Sequence, residues 1–98
     1  MGIIKKINLN SIEEIIEEID GLTFQTKFLQ EQHKVVMDQI KLNKSSFSSG
    51  NISKDVYNKN NIILEKEEKK LTKKINKTVE RVQKVSESIQ KIMKEHRI

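Results

Sequence analysis

The sequence predicts an all-α protein: a long antiparallel helical hairpin or coiled coil with a short N-terminal segment, completed as a bundle by a partner chain. Three observations carry this. The 98 residues include no proline, so nothing obliges a helix to break. Two apolar series repeat at alternating spacings of three and four. Between them lies one segment, Asn43 to Asn51, of residues that favour turns. The chain reads as a single helical domain over 1–98, with helix one over about 11–44, a loop over 45–52 and helix two over about 53–97.

Helix one opens at Asn10 or Ser11. Ser11 and Glu14 stand at capping-box spacing, where the hydroxyl accepts from a first-turn amide and the carboxylate reaches back. The seam then runs Ile12, Ile15, Ile19, Leu22, Thr26, Leu29, His33, Val36 and Ile40 without a slip of phase. Gly21 interrupts this run, at a cost of about 1 kcal/mol relative to alanine in a helix interior. Two readings stay open there: a break at Asp20-Gly21, or a continuous helix that a neighbour approaches closely. Unbroken phase on both sides favours continuity. Upstream, Ile3, Ile4, Ile7 and Leu9 suggest that residues 3–9 form a short helix or ordered arm.

Past the serine-rich loop, Ser53 is placed as the N-cap of helix two, and Asp55 stands where the helix dipole favours an anion. The second seam reads Tyr57, Asn61, Leu64, Glu68, Leu71, Ile75, Thr78, Val82, Val85, Ile89, Ile92 and His96. Glu65 with Lys69, Glu80 with Lys84 and Glu87 with Lys91 stand in the favoured i to i+4 order. Helix one would be about 50 Å long and helix two about 65 Å, so the end of helix two overhangs unless residues 3–9 fold back over it. Folding near residue 48 sets His33 level with 62–65 and Thr26 with 69–72. A hydrogen bond from His33 to Glu65 or Glu68 is expected, and the polar seam positions serve register and partner choice.

The core of the hairpin is thus assigned to Ile15, Ile19, Leu22, Leu29, Val36, Leu64, Leu71, Ile75 and Val82. Other apolar residues fall outside it. Ile16, Met37, Val79 and Met93 widen the inner stripe in the manner of a bundle of three or more helices. Phe24, Phe28, Val35 and Leu42 lie on the opposite side of helix one and are the candidate partner interface. That face spans about 27 Å, too far for residues 3–9 to cover, which favours a second chain over an internal third helix.

Charge is uneven. Residues 51–98 hold thirteen basic and seven acidic side chains, against six and seven in residues 1–50. Lys59, Lys66, Lys70, Lys73, Lys77, Lys84 and Lys91 form a ridge on helix two, broken only by Glu80 and Glu87. The ridge reads as a solvated coiled-coil face. The competing reading is an anion-binding ridge for an acidic partner or anionic lipid headgroups, centred on Lys66, Lys70, Lys73, Lys77 and Lys84. Nucleic acid is disfavoured, since arginine occurs only at 81 and 97 and no aromatics interleave the lysines.

Several classes of function lack sequence support. With no cysteine and only His33 and His96 as imidazoles, neither thiol chemistry nor structural zinc is expected. No nucleophile and base pair suggests an enzyme, a cofactor or a small-molecule substrate. Apolar runs reach only triplets such as Ile62-Ile63-Leu64, far below the 18 or so needed to span a bilayer. The start of the chain lacks a secretory h-region. A cytoplasmic location is expected, with any membrane contact peripheral and made through the lysines.

At the bend, Phe47, Gly50, Asn51, Ile52, Ser53, Val56, Tyr57 and Leu64 describe a helix, a glycine turn, a small polar cap and an aromatic one turn into the next helix. This resembles the helical hairpins of the ESCRT-I headpiece, namely the steadiness-box region and the N-terminal region of its smallest core subunit, over about residues 12–78. Those hairpins pack side by side as a fan that holds unlike subunits together. The resemblance implies a core subunit in membrane remodelling or protein sorting, with an unlike helical chain as partner in preference to a homodimer. ESCRT-III hairpins are also similar, but their basic surplus lies in the first half of the chain. The alternative is a homodimeric four-helix coiled-coil scaffold or adaptor unrelated to membranes.

Overall fold

The computed structural model describes residues 9–95, with side chains from Ile12 onward. It is a two-helix hairpin: α1, Leu9–Ser48, and α2, Lys54–Glu95, are joined by a tight turn and pack on each other along a rod measuring 80 × 17 × 15 Å. Among the described residues there is no strand.

Both ends of α1 differ from the sequence reading. α1 begins at Leu9, so Ser11 lies inside the helix rather than ahead of it. It also continues to Ser48, four residues past the expected end. The loop therefore shrinks from 45–52 to 49–53. The reason is visible in the packing: the heptad phase of Val36 and Ile40 continues through Asn43 and Phe47, and both meet α2. Asn43 is buried, and the Phe47 ring stacks on Tyr57 with centroids 4.5 Å apart. Those contacts outweigh the weak helix propensity of Ser45, Ser46 and Ser48. With 40 and 42 residues, the helices are nearly equal, so among the described residues the expected long overhang of α2 is absent. The arm expected at residues 3–9 lies, apart from Leu9 in α1, outside the described residues.

The turn is a Schellman motif. Gly50 N–H donates to Phe47 O at 3.0 Å and Asn51 N–H to Ser46 O at 2.9 Å, which closes the last carbonyls of α1. Gly50 takes φ +74°, the left-handed conformation this motif requires. α2 then starts as its sequence predicts, the Val56 N–H donating to Ser53 Oγ at 3.2 Å. α1 is continuous through Gly21, and a β carbon placed there would meet nothing within 4 Å. Continuity holds, but no element of the hairpin makes the close approach that the sequence allowed for.

The core is narrow. Leu29, Val36, Leu71 and Val85 are buried with Asn43 and Thr78, and Ile40, Leu64 and Ile75 pack around them half-buried. Ile15, Ile19 and Leu22 are likewise half-buried. Each helix thus buries one line of residues seven apart, Leu29, Val36 and Asn43 on α1 and Leu71, Thr78 and Val85 on α2. The other seam line rides at the open edge between two cylinders. Val82 is on that edge line and is 45% exposed, which corrects its assignment to the core. Nothing in a two-helix layer covers it.

Candidate functional site

Two polar layers fix the register. His33 Nε2 lies 3.2 Å from Glu68 Oε1, and the Thr72 hydroxyl donates to the same oxygen at 3.0 Å. Glu68 is thus the partner His33 finds, because the extended α1 moves the fold point beyond residue 48. Hydrogen bonds from His33 and then Thr72 hold the Glu68 carboxyl below its ordinary 4.5. Nearer the turn, Asn43 Nδ2 donates to Tyr57 O at 3.1 Å and to Asn61 Oδ1 at 3.0 Å, while its Oδ1 accepts from Asn60 at 3.0 Å. The sequence reading ends the first seam at Ile40 and counts Asn43 among the turn-favouring residues; its heptad spacing from Val36 is the signal that places it in the seam. Thr26 instead bonds back to Leu22 O at 2.7 Å within its own helix.

The four residues assigned to a partner interface are all exposed: Phe24 74%, Phe28 51%, Val35 55% and Leu42 65%. They are not one patch. Phe28 and Val35 line a groove with Gln32 of α1 and Glu67 and Leu71 of α2. Leu42 lines the next stretch with Gln39, Asn60 and Ile63. Further along, the same side carries Gln25, Lys74, Lys77 and Arg81. Phe24 lines none of these and projects from the back of α1.

This broad side of the hairpin has an order that the sequence reading missed. Gly21, Gln25, Phe28, Gln32, Val35, Gln39 and Leu42 follow one another at spacings of four and three, a second heptad stripe without a charge. On α2, Ile63 and Lys77 line the other border of the same groove, and Val56, Lys70 and Lys84 stand on their heptad line. Ile63 is 65% exposed and Val56 43%. Spacing alone could have found both, had the line of Lys70 and Lys77 been followed towards the turn.

The lysine ridge is exposed throughout, at Lys66, Lys70, Lys73, Lys77 and Lys84. Ion pairs among the described residues are Arg81 Nε to Glu18 Oε1 at 2.7 Å and His33 to Glu68. The three expected i to i+4 pairs on α2 do not close to 4.0 Å, since fully solvated lysines gain little by it. A separate apolar groove at the open end is lined by Ile12, Ile15, Ile16, Ile19, Ile89, Ile92 and Met93. Ile16, Met37, Val79 and Met93, placed in a widened inner stripe, are exposed.

No helix among the described residues is long and apolar enough to cross a membrane. Nor do three or more metal-ligating side chains gather among them. At the bend, the glycine turn at Gly50, the Ser53 cap and the stacking of Phe47 on Tyr57 are formed. Compared with known proteins, the chain matches no family model, no curated protein and no solved structure.

Proposed function

We propose that this chain is a structural interaction subunit that assembles with helical protein through the exposed side of α1. One observation carries the reading. α1 bears two heptad stripes; α2 occupies the first, and Phe28, Val35 and Leu42 of the second remain more than half exposed. An apolar line of this length on a small helical rod is the pattern of a helix that packs on both sides. By the resemblance to ESCRT-I headpiece hairpins, the assembly would serve membrane remodelling or protein sorting.

The test separates a partner surface from internal core. Phe28→Asp is expected to leave the far-ultraviolet circular dichroism and melting of the dilute chain unchanged. A photo-crosslinking residue at Val35, introduced into the chain in its own cells, should give discrete protein adducts that Phe28→Asp removes, with none from the same residue at Gln83. Loss of helicity in dilute Phe28→Asp, or adducts equally from both positions, would sink the reading.

A further inference from the structure

We propose that the occupant of this face is a second copy of the chain, seated face to face and loop beside loop about a two-fold axis parallel to the rod, so that four helices form a bundle. The proposal rests on the assembly reading and names its partner. In such a pair each α1 lies against the partner's α2, antiparallel and at the same level along the rod. Levels within the hairpin are set by Asn43 with Tyr57, His33 with Glu68 and Glu18 with Arg81.

The order of chemistry along the two borders of the groove suits this arrangement. From turn to open end, the α1 border reads Leu42, Val35, Phe28, Gly21, Glu14, and the α2 border reads Val56, Ile63, Lys70, Lys77, Lys84. Matched level by level across the two-fold, Leu42 meets the partner's Val56 and Val35 meets the partner's Ile63. Phe28 meets the stem and ammonium of the partner's Lys70, a combination of apolar and cation–π contact. Gly21, open in the isolated hairpin, leaves room for the partner's Lys77. Glu14 meets the partner's Lys84.

Any helix filling this groove has to place an apolar side chain beside Ile63, leave room beside Lys77 and set an acid beside Lys84. α1 is itself such a helix, with Glu13, Glu14, Glu17, Glu18 and Asp20 ahead of the uncharged stripe. Between the borders, Gln25, Gln32 and Gln39 come level with Lys74, Glu67 and Asn60, so each central layer pairs an amide with a group that can bond it. Polar layers of this kind select one register at some expense of stability. Reversing one copy sets α1 against α1 and α2 against α2, which leaves the lysines without acids. On sequence alone an unlike chain is the expected partner; the level-matched order of charge points instead to self-assembly.

The chain has no cysteine, so Asn51→Cys gives a single spin-label site at the turn. Light scattering over a hundredfold concentration range should show a dimer, and the labels should lie two to three helix diameters apart, roughly 20–30 Å. Glu14→Lys and Lys84→Glu should each weaken dimerisation by roughly tenfold through like-charge contact. Mixed together, the two single variants should pair at wild-type strength, because only between chains does each new lysine meet a new glutamate. A monomer at every concentration, labels about 50 Å or more apart, or no recovery on mixing would overturn the proposal. Adducts at Val35 with a different protein would then still stand for an unlike partner, whereas their absence would fail the assembly reading itself.

Discussion

Glu68 is the residue whose environment gives a signed prediction. Its carboxyl is held below 4.5 by hydrogen bonds from His33 and Thr72. A depressed carboxylate contributes stability above its ordinary range and loses it as pH falls through the lowered value. Wild type should therefore melt above Glu68→Gln near neutral pH, and the gap should narrow as pH drops below 4.5; a gap that stays constant would show that the carboxylate contributes nothing. Gly21 makes the opposite kind of prediction. With open space around it, Gly21→Ala removes backbone entropy from the unfolded chain and should stabilise the dilute hairpin by about 0.5–1 kcal/mol, raising its melting temperature by several degrees. A lower melting temperature would mean that the backbone at 21 packs closely within one chain.

At the scale of the helices, heptad phase was legible and termination was not. The phase of both seams is legible over the described residues because two long helices without proline repeat their contacts for many turns. The end of α1 was misread because serines mark turns by propensity, whereas Asn43 and Phe47 are held helical by contacts to Asn60, Asn61 and Tyr57 that no local pattern encodes. Val82 was misassigned because phase identifies a side of a helix but not how far a neighbour covers it. Leu71 tests the register directly, being 3% exposed at the centre of the seam. Leu71→Asp buries an unpaired charge and should cost several kcal/mol, abolishing the helical signal in circular dichroism, while Val82→Asp on the open edge should remain folded. A helical, normally melting Leu71→Asp would mean the seam runs elsewhere.

For the molecule as a whole, the candidate surface was half legible. Phe28, Val35 and Leu42 stand out by their place opposite the seam, whereas the lysines of α2 read from sequence as a separate ridge. The line of Lys70, Lys77 and Lys84 is continuous with Val56 and Ile63, and only the paired helices bring both borders to one groove. The turn has a kinetic consequence. Asn43 and Tyr57 are 14 residues apart in sequence, whereas Glu18 and Arg81 are 63 apart. Loop closure is therefore cheapest beside Gly50 and grows towards the open end. Folding should zip outward from the Schellman turn, with a pathway dominated by local contacts and correspondingly rapid. Breathing should run in reverse, starting at Ile16 and Met93, so the open ends of α1 and α2 part transiently while the Phe28 to Leu42 stripe keeps its shape.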